Sequence, residues 1–317
     1  MSSPQKRGSS VKRRPVHGVL LLDKPIGLSS NQALQKAKWL LRAEKAGHTG
    51  TLDPLATGVL PLCFGAATKF SQMHLDADKA YIADVQLGAT TTTADAEGEV
   101  LETRPVPIFT QAELDAVAAK FLGEITQLPP MYSALKHNGQ PLYKLARQGI
   151  EVERAPRSIT IYDYKILDFR PGVIAELDVE VRCSKGTYIR SLADDLGQML
   201  GCGAHVSALH RTLAGPFHES ETLTLSALEE MRESGEPEQL DHLLKPMDIA
   251  VADRMAVELS ETVAAYFQLG QEVMSGEAFR NGQEGDIVRV FREGGAFLGV
   301  ATVTEDGRIA PKRLVVE

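Results

Sequence analysis

Long apolar stretches are what this chain has least of. No run reaches the length needed to span a bilayer, and the nearest, Val59 to Ala67, is short and interrupted by Pro61 and Gly65. The basic N-terminus leads into Val19 to Leu22, too short for the core of a secretory signal, and Asp23-Lys24-Pro25 follows at once. Both features predict a protein with no membrane partner. Cysteine is also scarce: three residues, Cys63, Cys183 and Cys202, lie far apart without Cys-x-x-Cys spacing and leave an odd count. That argues against a disulfide framework or a cysteine-built zinc site, and predicts a reducing, cytoplasmic setting with the thiols as small buried apolar groups. There is no P-loop, no dinucleotide-binding fingerprint and no cluster with metal-ligand spacing, so nothing in the sequence calls for a cofactor.

An excess of positive charge is missing too, since the formal net charge is -8. Phosphate neutralisation needs lysine and arginine, so the total looks wrong for a nucleic-acid partner. The distribution matters more than the total. Residues 219–262 carry twelve Asp or Glu against three Lys or Arg, a local net of -9, which leaves the rest of the chain at +1. The first fourteen residues hold Lys6, Arg7, Lys12, Arg13 and Arg14 with no acid. Basic patches are therefore affordable outside one acidic segment, although charged faces are usually only solvated.

What is present is enough for a real core: 317 residues, 43% hydrophobic and 24% charged, room for one large and one small domain. Residues 1–15 have almost nothing to bury and are expected to be a disordered basic arm. His17 to Leu22 is a short buried strand by its continuous apolar run. Ser29 and Ser30 are natural caps for a helix to about Arg42, with Leu34, Ala37, Leu40 and Leu41 on one face. Lys79 to Gly88 reads as a strand, Thr91 to Gly98 as a polar loop, and Thr110 with Glu113 has capping-box spacing for a helix towards Leu122. Arg157 to Leu167 and Val173 to Cys183 are strands; the second alternates apolar and polar residues, as in a sheet with one wet face. Thr187 to Leu200 returns to helical spacing, stopped by Gly201.

Strands and helices mix without regular βαβ alternation, which predicts an α+β fold with a mixed, largely antiparallel sheet over residues 16–218. Residues 219–250 read as an acidic helical connector. From 251 to 317 the chain turns β-rich, with Asp286 to Phe291, Ala296 to Thr304 and Leu314 to Val316 as strands of a small barrel-like module.

The most informative stretch is Gly47-His48-Thr49-Gly50-Thr51-Leu52-Asp53-Pro54-Leu55-Ala56-Thr57-Gly58. Three glycines and a proline keep it from being helix or regular strand, and Pro54 biases Asp53 towards an extended conformation. An acid displayed on such a loop can reach a ligand. Read alone, the run is also compatible with a plain Asp-Pro turn beside a surface histidine. As a whole it resembles the catalytic loop of the pseudouridine synthases, in the bacterial tRNA pseudouridine synthase B family. The resemblance extends from His17-Gly18-Val19-Leu20-Leu21-Leu22-Asp23-Lys24-Pro25 to Ile309-Ala310-Pro311-Lys312-Arg313-Leu314-Val315-Val316-Glu317, with several blocks in the right order.

The resemblance implies a stand-alone, cofactor-free enzyme that isomerises uridine-55 in the T loop of tRNA, with a catalytic domain and a C-terminal PUA-like RNA-binding domain. No guide RNA is implied, and a monomer is the default. Asp53 takes the place of the catalytic carboxylate. Tyr81 matches the tyrosine that stacks on the flipped base; on its own it would be a core-facing strand residue. Tyr188 and Arg190, within Ser184-Lys185-Gly186-Thr187-Tyr188-Ile189-Arg190, match positions that hydrogen-bond the base and hold the carboxylate in an ion pair. A planar guanidinium suits that task because it grips a carboxylate in fixed orientation. His48 matches the histidine inserted into the RNA loop. Lys24, Asp95 and Leu209 match positions around the substrate, and His210 and Arg211 are candidates to meet phosphate.

Such an isomerisation needs a carboxylate near ribose and base, a group to shuttle a proton, and a closed pocket. Extruding the base costs a few kcal/mol, and stacking on one aromatic ring returns about 1–3 kcal/mol. Three other readings stay open at this level: an RNA-folding protein whose catalysis is secondary, a guide-RNA-dependent synthase, and a glycosidase. The last wants a pair of carboxylates flanking the bond, and no second acid is placed by the sequence.

Overall fold

Apolar alternation builds the centre of the molecule. The computed structural model describes residues 12–315. Ten strands form one sheet: β1 (Gly18–Lys24), β2 (Ala46–His48), β3 (Ala56–Phe64), β4 (Lys79–Leu87), β5 (Gly123–Gln127), β6 (Arg157–Arg170), β7 (Ala175–Cys183), β8 (Ala204–Ala214), β9 (Phe217–His218) and β10 (Leu223–Thr224). The main path runs β10-β1-β3-β8-β4-β7-β6-β5, with β2 on β3 and β9 on β8. Only the β10–β1 and β3–β8 pairings are parallel. The fold is α+β with a mixed, largely antiparallel sheet. In β7 the alternation works as the pattern predicts: Ala175, Leu177, Val179, Val181 and Cys183 are all buried and the residues between them are not.

Helices cover the apolar face. α1 (Ser30–Leu40) starts at a capping box in which Ser29 accepts from the Gln32 backbone, a device that contributes about 1 kcal/mol. α2 (Gln111–Ala118) uses the Thr110–Glu113 box. α3 (Ile189–Leu200) ends at Gly201 in the left-handed conformation. α4 (Leu225–Glu233) inserts Leu225 and Leu228 into the same core as the sheet.

Several expectations need correction. The run 47–58 is not loop throughout. Gly47 and His48 belong to β2 and pair with Cys63 and Leu62, while Ala56 to Gly58 already belong to β3, so the irregular part is only 49–55. Gly58 enters the ladder because it has no side chain: at φ +97° a Cβ there would stand 2.3 Å from the Arg211 carbonyl oxygen. The acidic segment is no free connector. It adds β10 to the sheet edge and buries Leu240 beside Leu228, so apolar spacing overrides composition. The arm is anchored at Arg14, which donates to both oxygens of Asp241 at 2.6 Å and to the Pro237 carbonyl at 2.8 Å. Residues 1–11 of that arm lie outside the described residues.

The C-terminal module has its own sheet, in the order β11 (Ala256–Leu259), β13 (Ile287–Arg292), β14 (Phe297–Val303), β15 (Arg308–Leu314), β12 (Val273–Met274). Its last long strand is Arg308–Leu314, starting well before the expected Leu314 because Gly307 at φ +76° makes the turn ahead of it; Val316, the expected end, lies outside the described residues. This β-rich half-barrel is of the PUA-like kind. It is fastened to the larger domain by Phe70 against Phe297, ring centroids 5.3 Å apart, by Lys69 Nζ on the Leu314 carbonyl at 3.0 Å, and by the Arg289–Asp248 ion pair at 2.9 Å. Among the described residues no helix is long and apolar enough to cross a membrane.

Candidate active site

The Asp53 loop sits between β2 and β3 and is clamped on both sides of the acid. Upstream, the buried Ser30 hydroxyl donates to the Leu52 carbonyl at 3.0 Å and accepts from its amide at 2.8 Å. Downstream, Gly27 N donates to the Pro54 carbonyl and Ala56 N to the Asp53 carbonyl. Beneath lies Lys24, fully buried, its ammonium on the carbonyls of Pro25 (2.9 Å), Leu28 (2.5 Å) and, more loosely, Pro54 (3.5 Å). Burial lowers the Lys24 pKa to about 8, with Asp53 the chief opposing charge.

Facing the loop is the start of α3. Gln127 fixes it, accepting from Tyr188 N at 2.9 Å and donating to the Tyr188 carbonyl at 3.1 Å. Arg190, on the first turn of the helix, is 4% exposed. Its Nε meets Asp53 Oδ2 at 2.9 Å and its Nη1 meets Asp95 Oδ2 at 3.4 Å. Two further guanidinium hydrogens go to the Thr93 carbonyl (2.9 Å) and the Tyr132 carbonyl (2.7 Å). The arginine therefore cannot swing away without leaving buried acceptors unpaired. Asp95, itself buried, is held by Thr93 Oγ1 at 2.5 Å and Glu97 N at 3.1 Å, and its loop is stitched to β8 through Val206. So a second acid does lie beside the first, brought in by a sheet contact that spacing along the chain does not reveal.

The Asp53 side chain is 38% exposed, yet protein surrounds it on most sides, as on the floor of a cleft. Burial lifts its carboxyl above the ordinary value, Arg190 pulls it down, and Asp95 pushes it up again. Two tyrosines flank this acid. Tyr81 points from β4 into the core and is 8% exposed. Tyr188 is half-buried at the helix cap. Burial raises both phenols, and the Asp53 charge acts on each. Leu209 on β8 lies opposite Ala56 and Ala83. His48 stands in β2, half-buried, with Nδ1 shut off from solvent and unpartnered, and burial plus the Arg211 charge favour its neutral form.

Asp53, Arg190, Asp95, Lys24, Tyr81 and Tyr188 thus form one constellation, with Leu209 on the neighbouring β8 and His48 outside it on β2. Two candidates for phosphate do not fit that role. Arg211 is 1% exposed and bonds backbone carbonyls. His210 is engaged by Thr57 Oγ1 and Glu219, each at 2.7 Å. Ser30 and Gln127 were not singled out by the sequence; Ser30 carried only a capping signal and Gln127 none. Cavities of about 400 and 350 Å³ lie elsewhere, along β6 near α2 and near Val106 to Ile108, and contain none of these side chains. Among the described residues no group of three or more histidines, cysteines or acids is arranged to hold a metal.

A carboxylate paired with a buried arginine and flanked by two phenols thus lies on an α+β sheet, and that sheet is the pseudouridine synthase fold. The chain belongs to the TruB family of pseudouridylate synthases: residues 38–189 match the family's N-terminal domain, 190–252 the tRNA pseudouridylate synthase B C-terminal domain, and 256–315 the pseudouridine synthase II TruB C-terminal domain. It is 57% identical to tRNA pseudouridine synthase B of Saccharophagus degradans over 95% of this chain and 96% of that one. To the protein of the same name from Stutzerimonas stutzeri it is 58% identical, over 96% and 97%. Among solved structures, a Cbf5-Nop10-Gar1 complex matches at TM-score 0.69 and 28% identity, covering 95% of this chain and 84% of that one. The archaeal box H/ACA sRNP Nop10-Cbf5 complex matches at 0.68 and 25%, covering 95% and 86%. The protein is an isomerase that makes pseudouridine.

Proposed function

We propose that the protein acts alone on tRNA and converts uridine-55 of the T loop to pseudouridine, with no cofactor and no guide RNA. The Asp53–Arg190 contact carries the reading. At 2.9 Å it orients one carboxylate while leaving that side chain open to a ligand. The relatives at 57–58% identity are named for tRNA, which supports the substrate class.

In this reading the T-loop uridine leaves its stack and enters the cleft, where the Tyr81 ring packs on the base. His48, neutral and outside the constellation, fills the vacated place in the RNA. Tyr188 and the Leu209 backbone border the base. Asp53 then acts on the ribose, either by attack at the anomeric carbon or by removing a sugar proton, and both routes require its ionised form. The glycosidic C–N bond breaks, the uracil turns, a C–C bond forms, the ring-carbon proton leaves to water, and the ring nitrogen freed from the ribose takes up a proton from water. Atoms and electrons balance within the substrate. Arg190 is ready-made to keep Asp53 ionised in a site where burial works against the charge.

The test is tritium release from tRNA carrying uridine labelled at ring carbon five, with unmodified transcript and purified protein. Wild type is expected to release the label and Asp53→Asn to release none while still binding tRNA. Normal release by the variant ends the assignment. A tRNA-folding role alongside catalysis rests on the anchored C-terminal β module, and predicts that Asp53→Asn still assists tRNA refolding.

A further inference from the structure

Arg211 is the bulkiest of the fully buried side chains among the described residues. No carboxylate among those residues lies within 4.0 Å of its guanidinium, in contrast to Arg190. An unpaired charge so deep costs several kcal/mol, and a hydrocarbon of similar shape would fill the space without that cost. What a hydrocarbon cannot supply is a rigid fork of donors. Nε donates to the Val59 carbonyl at 2.8 Å and Nη2 to the Gly50 carbonyl at 3.1 Å. Gly50 precedes Asp53 and Val59 follows it, so one guanidinium ties both ends of the catalytic loop.

The same group reaches a third element. In the β8–β4 ladder Arg211 is opposite Tyr81, and its guanidinium charge acts on the Tyr81 phenol. In the β8–β3 ladder it is opposite Gly58, whose missing Cβ lets the Arg211 backbone approach. The carboxylate loop and the tyrosine ring lie on strands separated by β8, and Arg211 spans that gap from below.

We propose that Arg211 is a positioning residue for the isomerisation, setting the spacing and orientation between the Asp53 loop and the Tyr81 ring. The proposal rests on the reading that Asp53 is the catalytic carboxylate. Displacement of a reacting group by about 1 Å costs about 100-fold in rate, so the spacing is worth a buried charge. Lysine keeps the charge but has no fork and cannot hold both carbonyls in fixed orientation.

The test separates chemistry from binding and folding. Single-turnover tritium release at saturating tRNA gives the rate, filter binding gives the affinity, and thermal unfolding reports the fold. Arg211→Lys is expected to lower the rate about 100-fold and leave affinity within about threefold. Tyr81→Phe keeps the ring but removes the hydroxyl on which the Arg211 charge acts. The double variant is expected to lose at least tenfold less than the product of the two single losses, because both substitutions break one arrangement. A structural defect alone would not produce that coupling. The proposal is overturned if Arg211→Lys keeps its rate within about threefold of wild type, or if the two losses multiply independently. Should Arg211→Lys not fold, Tyr81→Phe decides by itself: a rate within about threefold of wild type overturns the proposal, and a larger loss at unchanged affinity supports it. No tritium release by the wild-type chain would instead overturn the functional reading on which the proposal stands.

Discussion

The two arginines beneath and beside the Asp53 loop are a natural pair to compare. Arg190 sits among charges, with carboxylates at 2.9 and 3.4 Å and two carbonyls as further partners. Arg211 sits among dipoles, on the carbonyls of Val59 and Gly50 and opposite Tyr81 in the ladder. Lys24 resembles the second, an ammonium on three carbonyls. A cation paired with ionisable acids controls protonation, so its effects depend on pH. A cation held by backbone controls shape, and its effects follow geometry. The site uses one side of the loop to tune the acid and the other to place it.

The largest expected effect breaks the charged side. Arg190→Gln removes the cation that does most to hold down the Asp53 carboxyl, leaving Lys24 as the weaker counter-charge against burial and Asp95. The single-turnover rate at neutral pH should fall about 1,000-fold. The acid limb of the pH–rate profile should move to higher pH, since the carboxyl then ionises later. An unmoved limb would show that the ion pair orients Asp53 without tuning it.

The geometric side is sharpened by two glycines. At Gly58 an added Cβ would meet the Arg211 backbone oxygen at 2.3 Å and nitrogen at 2.8 Å, so backbone must shift. Gly58→Ala should cost about 3 kcal/mol in urea unfolding and reduce activity with it. At Gly50 the nearest atom is the far end of the Arg211 side chain at 3.3 Å, and only the positive φ resists substitution. Gly50→Ala should cost about 1 kcal/mol. Equal costs would mean that the close strand approach at Gly58 is not what its glycine serves.

The smallest effect is a slope. Lys24 has a folded pKa of about 8 against an ordinary 10.5, so between those values the unfolded chain binds more protons. Stability contributed by this group therefore rises with pH across that window, and below about 8 both states are charged and the contribution is flat. Burial shifts Lys79 likewise and pushes the Cys183 thiol up to about 11, so wild type alone mixes several slopes. Thermal unfolding of wild type and Lys24→Met from neutral to alkaline pH isolates the lysine: the wild-type chain should gain relative to the variant as pH rises. A constant difference would mean that the ammonium stays charged in its carbonyl cage.

Legibility in the sequence followed the range of the interactions. The helix cap at Ser29, the capping box at Thr110, the stop at Gly201 and the alternation of β7 are set by residues a few positions apart, and all appear in the structure. The α+β class followed from the order of such elements. Misreadings arose where a neighbour distant in sequence decided. Gly47 to Gly58 looked irregular because glycine and proline weaken strands, but pairing with Cys63, Leu62 and Arg211 recruits both ends into the sheet. The acidic segment looked like a linker because composition does not show that Leu225, Leu228 and Leu240 face the core.

The sequence by itself determined the family and the acid-bearing segment, since these are written in the identities and order of side chains. The tertiary structure alone decided which charges meet. Asp95 comes to Arg190 through a contact with β8, Ser30 to Leu52 through packing of α1, and Arg211 to Gly50 and Tyr81 through the juxtaposition of β3, β8 and β4. Electrostatic and hydrogen-bond energies depend on distances of a few ångström, and those distances exist only after the sheet has closed.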